Sequence, residues 1–184
     1  KTLTEEFDLS QHDSLDEHLS QVQALLARQK LVEDLVHRQG GPRQDLVESL
    51  VHKQNLAELQ KKLDELHPAD VAHILEALPL DERLLVWELV KAERDGEILL
   101  EVSDSVRESL IASMDKAELL AAAGTLDTDE IADIAEDLPL DVIQELLSML
   151  DAQKRARLES ALSFAEDSVG TLMDYDMVTI RADV

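Results

Sequence analysis

Leu66–Asp81 reads LHPADVAHILEALPLD and Leu126–Asp141 reads LDTDEIADIAEDLPLD. The second begins 126 − 66 = 60 residues after the first, and Ala72, Ile74, Glu76, Leu78, Pro79, Leu80 and Asp81 all recur at that offset. Apolar residues fall at helical spacing in both, as Val71, Ile74, Leu75 and Leu78 in one and Ile131, Ile134 and Leu138 in the other. Between them, Val102–Met114 keeps the spacing of apolar positions without the proline, as an intermediate unit would. A short helical unit cannot bury its apolar face alone, so duplicated units of this kind predict an all-α, curved, solenoid-like stack.

Helix start signals support that reading. A Ser, Thr, Asp or Asn followed three residues later by Glu satisfies two orphan N–H groups at a helix start. Ser14 with Glu17, Asn55 with Glu58, Asp115 with Glu118 and Asp127 with Glu130 fit the pattern, and Pro68 after His67 supplies the first-turn proline of another helix. Gly40-Gly41-Pro42 is the best internal boundary. It divides an N-terminal helical hairpin, roughly Ser14–Gln39 and Arg43–Gln54, whose halves carry the near-duplicates LVEDLVHRQ at Leu31–Gln39 and LVESLVHKQ at Leu46–Gln54. Beyond Asp167 the pattern changes, and Met177–Arg181 (MVTIR) reads as a short β-strand. The expected division is therefore a helical extension over 1–55, a helical array over 56–167, and the start of a further domain over 168–184.

Composition narrows the function. With 41 Asp and Glu against 17 Lys and Arg, the formal charge is −24, which repels nucleic-acid phosphates and anionic lipid and favours cations or basic protein faces. There is no cysteine for a disulfide or a thiolate zinc site, and the six histidines lack ligand spacing. No apolar run approaches the roughly 18 residues of a membrane span, and Lys1–Ser10 lacks the layout of a signal peptide, so the chain reads as soluble and not exported. No phosphate-cradling glycine loop, G-x-S-x-G, H-E-x-x-H or cysteine nucleophile occurs, and no enzyme is expected. His37 and His52 occupy matching points of the duplicated hairpin and read as half-buried or capping residues, and Trp87 reads as core.

The acidity is concentrated. From Ala117 to Gln153 there are ten carboxylates and no Lys or Arg. After Asp127, the residues Asp129, Asp133 and Asp137 follow at i, i+4 and i+8 and share a face with Glu136, opposite Ile131, Ile134 and Leu138. Like charges at i, i+4 repel by a few tenths of a kcal/mol per pair. Such a stripe is either a solvated face or a cation seat. A seat of carboxylates alone suits a hard ion, and without an EF-hand loop it suits Mg²⁺, held through one or two carboxylates and waters.

LHPADVAHILEALP, LDTDEIADIAEDLP and the closing EDSVGTLMDYDMVTI together resemble the N-terminal cytosolic domain of MgtE-type magnesium transporters and channels, over about Leu56 to the end. The resemblance implies a right-handed superhelical array of short helices, with Gly170–Val184 opening the first of two CBS domains. It implies a fragment of an integral protein of the bacterial inner membrane, acting on its cytoplasmic side. Its partners would be the CBS pair and dimeric pore of its own full-length chain. Regulatory Mg²⁺ would be sensed through acidic residues, which the motifs place at Glu97, Asp129 and Asp133. Position 130 departs from the common family form, being Glu instead of Asp. A rival expectation is a helical-repeat interaction module that binds a basic partner through the Ala117–Gln153 face.

Overall fold

The computed structural model describes residues 15–31 and 44–163, all of whose regular structure is helical. Helix α1 covers 15–31, and α2 is Gln44–Asp64. Then come α3 (Pro68–Ala77), α4 (Leu80–Trp87), a 3₁₀ turn (Ala92–Arg94) leading into α5 (Asp95–Glu101), and α6 (Asp104–Ile111). The chain continues as α7 (Lys116–Ala123), α8 (Thr128–Ile134), α9 (Leu140–Met149) and α10 (Ala152–Leu162). The predicted strand Met177–Arg181, the 168–184 segment, the predicted helix start Ser14, Gly40-Gly41-Pro42 and His37 lie outside the described residues.

The 60-residue duplication resolves into a shorter register. The residues immediately before the helical turns are His67, Pro79, Lys91, Ser103, Asp115, Asp127, Pro139 and Asp151, each 12 after the last. The duplication is thus five steps of this period. Each is preceded by an apolar residue, in order Leu66, Leu78, Val90, Val102, Met114, Leu126, Leu138 and Leu150. All eight belong to one continuous core or pack against it. Alternate helices stack: α3 on α5, α5 on α7 and α7 on α9 in one row, with α4 on α6 and α8 on α10 in the other. Twelve residues hold a short helix and its turn, and two such units make the repeat that buries its own apolar faces.

What holds consecutive units together is a recurring arginine. Arg83 donates from Nε to the Leu75 carbonyl (2.8 Å) and from Nη2 to that of Leu78 (3.1 Å). Arg107 does the same to Leu99 and Val102 (2.8 and 3.1 Å), and Arg155 to Leu147 and Leu150 (2.6 and 3.1 Å). Each sits four residues past its cap and reaches carbonyls four and one residues before it. The last carbonyls of a helix have no intrahelical donor, and a rigid guanidinium fork satisfies two at once. Arg94 reaches the equivalent carbonyls at the end of α2, Leu63 and Leu66, from the 3₁₀ turn.

The step of the register where Arg would be residue 131 carries Ile131, which is buried. There the end of α7 is met differently. The Thr125 hydroxyl donates to the Ala122 carbonyl (2.7 Å), and Gly96 of α5 lies so close that a Cβ on it would stand 2.6 Å from that same oxygen.

The predicted caps hold in part. Asp115 and Glu118 close a reciprocal box, with Asp115 N–H donating to Glu118 (2.7 Å) and Glu118 N–H to Asp115 (2.9 Å). The Asp127 N–H donates to Glu130 (2.7 Å), and His67 accepts from the Ala69 N–H (3.3 Å) ahead of Pro68. Asn55 is a correction: it starts no helix but lies inside α2, almost wholly buried, donating to Gln29 of α1 (3.4 Å). Gln29 also bonds the His52 ring. The polar pairing between α1 and α2 uses the side chain that a cap would need, so α2 runs unbroken across residues 55 and 56. Trp87 is core, as expected.

Gly96→Ala is expected to lower the free energy of unfolding by about 1–3 kcal/mol, since backbone must shift to admit the methyl. Gly124→Ala meets its first neighbour at 3.1 Å with an ordinary helical φ of −67°, and costs less. Urea unfolding of both variants checks this, and equal stabilities would disprove the close approach of α5 to α7.

Candidate functional site

The ten carboxylates of the acidic stretch are not equivalent in the folded chain. Glu118 and Glu130 are taken by helix caps, and Asp151 accepts from the N–H groups of Gln153 and Lys154 (2.9 Å each). The bonds from the N–H groups of Lys154 and Gln153 hold the Asp151 carboxyl below its usual range. Asp141 and Glu145 of α9 both bind Lys116 Nζ of α7, at 3.0 and 2.8 Å. That contact lowers the Asp141 carboxyl and, through Glu145 first, raises the Lys116 ammonium. A residue one position before the cation-free run thus supplies its counter-charge.

Asp137 corrects the expected stripe. Helix α8 ends at Ile134, so Asp137 does not continue its face. It lies in the turn beyond and pairs with Arg107 Nη1 at 3.1 Å. Asp129 and Asp133 remain, one turn apart on α8. Neither takes a hydrogen bond or an ion pair from a described residue. Asp133 is pushed above the usual carboxylate range, first by burial and then by the charge of Asp129, while Arg107 partly offsets both. Glu130, at the position that departs, has a structural use of its own: it closes the capping box on Asp127.

Glu97 lies exposed in the first turn of α5, a helix that packs on α8. Among the described residues no three His, Cys, Asp or Glu side chains converge as a metal cage, so Glu97, Asp129 and Asp133 are not gathered into one site. The Asp129–Asp133 pair offers hard oxygen donors on one side only. That fits a hydrated Mg²⁺, which keeps most of its waters and takes one or two carboxylates.

A second meeting of carboxylates was not visible in the sequence. Asp95, at the start of α5, lines a cavity of about 180 Å³ together with Trp87, Ser113, Met114 and Glu118. Burial, followed by the charges of Glu118 and Glu93, raises its carboxyl to about 6. Glu118 comes from α7, two helices on, and only the stacking of α5 on α7 brings it near.

Helical caps every 12 residues, the two-row stack and the LPLD turns describe a fold with known relatives. The family described as the MgtE intracellular N domain matches residues 66–167, more than half of the chain. The chain belongs to the MgtE N-domain family. The magnesium transporter MgtE of Thermus thermophilus is 25% identical over 126 residues, which is 67% of this chain and 28% of that protein. Two crystal structures share the fold. One is the cytosolic domain of the Mg²⁺ channel MgtE in complex with ATP, with a TM-score of 0.52 at 23% identity, covering 67% of this chain and 51% of that one. The other is the soluble part of a magnesium transporter, with a TM-score of 0.55 at 14% identity, covering 86% and 53%. The chain therefore spans little more than a quarter of the Thermus transporter and about half of each structure. Among its described residues no helix is long and apolar enough to cross a membrane.

Asp95 gives this MgtE N domain a testable pH dependence. Below its unfolded value near 3.8 the carboxyl is protonated whether or not the chain is folded, and it contributes no penalty. Between there and about 6 the unfolded chain ionises first, so folding loses stability, and the loss is complete above about 6. Discounted for the exposed part of the side chain, the penalty is about 1 kcal/mol. Asp95→Asn should raise Tm by about 2–4 °C at pH 7.5 and by nothing below pH 3.5. Calorimetry at the two pH values decides, and a gain of equal size at both would remove the electrostatic cause.

Proposed function

We propose that this chain is the cytosolic regulatory domain of a magnesium transporter, that it senses Mg²⁺ through its acidic face, and that it gates the pore by domain closure. The observation that carries the reading is the Asp129–Asp133 pair. On a face of one sign, where neighbouring carboxylates are consumed by caps, by Lys116 or by Arg107, these two remain without a protein donor. The chain acts without catalysis, and its partners are the CBS pair and pore of its own full-length chain, which works as a homodimer. Glu97 contributes from α5 as a separate carboxylate.

The mechanism follows from charge. At low Mg²⁺ the acidic face repels other carboxylate surfaces brought near it, and the open arrangement is favoured. At high Mg²⁺ a hydrated ion seated on Asp129 and Asp133 is completed by oxygens from the facing domain, so it binds the closed form better. A tenfold preference per ion supplies about 1.4 kcal/mol, and moving from 1:99 to 99:1 takes about 5.5 kcal/mol, so several ions must act together. The response should therefore be steep in Mg²⁺ concentration.

Small-angle scattering on this chain joined to its CBS pair tests the proposal, with Mg²⁺ titrated at constant ionic strength. The radius of gyration is expected to fall steeply with Mg²⁺, and Asp129→Asn/Asp133→Asn should move the midpoint to about tenfold higher concentration. If Na⁺ reproduces the compaction, or the double variant compacts like the parent chain, these residues are not sensors. The acidic face would then be better read as a dock for a basic protein.

A further inference from the structure

Arg107 differs from the other arginines that join the units. Arg83 gives its Nη1 to the Ser109 hydroxyl (3.3 Å), and the hydrogen bonds of Arg155 go to carbonyls, those of Leu147, Leu150 and Ser148. Arg107 makes the same two-carbonyl fork on Leu99 and Val102, but its Nη1 turns to carboxylates, Asp137 at 3.1 Å and Asp104 at 3.5 Å. Its side chain is only 12% exposed, against 92% for Asp104 and 24% for Asp137. The contact that matters is therefore the partly buried one to Asp137, since the exposed pair with Asp104 is worth little. One guanidinium thus joins the end of α5, the helix of Glu97, to the residue three past the end of α8, the helix of Asp129 and Asp133.

Resting on the Mg²⁺-sensing reading above, we propose that Arg107 is the positioning residue of that face and its resident counter-cation. It holds Asp137 out of the acidic stripe, fixes α8 against the end of α5, and by its charge sets the Mg²⁺ concentration at which Asp129 and Asp133 respond. A fixed positive charge beside a two-carboxylate seat opposes a divalent ion twice as strongly as a monovalent one. The seat is then tuned to respond at high Mg²⁺ concentration. Removal of Arg107 does two separable things: it loses the carbonyl fork, which costs stability, and it frees Asp137, which makes the face more attractive to any cation.

The test tracks the backbone amide resonances of residues 128–137 during MgCl₂ titration of this chain joined to its CBS pair at constant ionic strength, with thermal unfolding in parallel. Arg107→Met is expected to lower the Mg²⁺ midpoint by about threefold while lowering Tm. Arg83→Met, which loses the same fork at a place where Nη1 bonds the Ser109 hydroxyl instead of a carboxylate, should lower Tm without moving the midpoint. Arg107→Lys keeps the stem and the charge and should keep the wild-type midpoint, and it carries the test if Arg107→Met does not fold. An Arg107→Met midpoint equal to that of the wild type, or a shifted midpoint in Arg107→Lys or Arg83→Met, overturns the proposal and leaves the sensing reading standing. Wild-type resonances at 128–137 that respond to Na⁺ as they do to Mg²⁺ overturn the sensing reading, and this proposal with it.

Discussion

A guanidinium gripping two carbonyls at the end of the preceding helix is the contact on which the stack depends. The helices are short, from 7 to 11 residues between α3 and α10, too short to be stable in isolation. Each must be held end to end with the next. The arginine does so at a place where the backbone otherwise leaves acceptors unpaired. Four arginines in this role tie the ends of α2, α3, α5 and α9 to later units of the stack. Where the fork is missing, at α7, a close backbone approach by Gly96 and the Thr125 hydroxyl meet the same helix end.

The same rule decides which charges are available for function. A 12-residue register requires a cap every 12 residues, and in this chain several caps are made by Asp and Glu. The carboxylates at Asp115, Glu118, Asp127, Glu130 and Asp151 are explained by helix starts alone. Salt bridges from Lys116 and Arg107 account for Asp141, Glu145 and Asp137. A high density of acid is thus mostly architecture. Asp129 and Asp133 stand out because no cap and no ion pair of the described chain uses them.

Much of this was legible in the sequence, for a physical reason in each case. The capping boxes at Asp115 and Asp127 and the proline at position 68 are local chemistry, written within four residues, and they appear where the spacing placed them. The family resemblance and the all-α stack were equally visible, because motif order survives where identity is low. The 12-residue period was seen only through its fivefold multiple, since the LPLD turn recurs at Pro79 and Pro139 while the intervening caps change to Lys91, Ser103, Asp115 and Asp127. Asn55 misled because a cap pattern cannot reveal a buried partner on another helix. Asp137 was placed on the wrong element for the same reason: its ion pair with Arg107 spans 30 residues, and no local rule encodes it. The raised carboxyl of Asp95 depends first on burial in the stack and then on the charge of Glu118 from a stacked helix, and was equally out of reach.

In the acidic stretch Ala117–Gln153 of a chain with a net charge of −24, Asp129 and Asp133 take no donor from the described residues, and on α5 burial first holds the Asp95 carboxyl at about 6. Caps at Asp129 and Asp133 would be redundant, since Asp127 and Glu130 already start α8. Neutral residues there would relieve the repulsion between neighbours one turn apart and the partial burial of Asp133. Retaining both acids makes sense if some state of the protein supplies the missing positive charge. Arg107 offsets part of the charge at Asp133, but its hydrogen bonds are committed to Asp137 and to the end of α5. Two carboxylates one turn apart present hard oxygen donors, and of the ions that could supply the rest a small divalent cation suits them in kind.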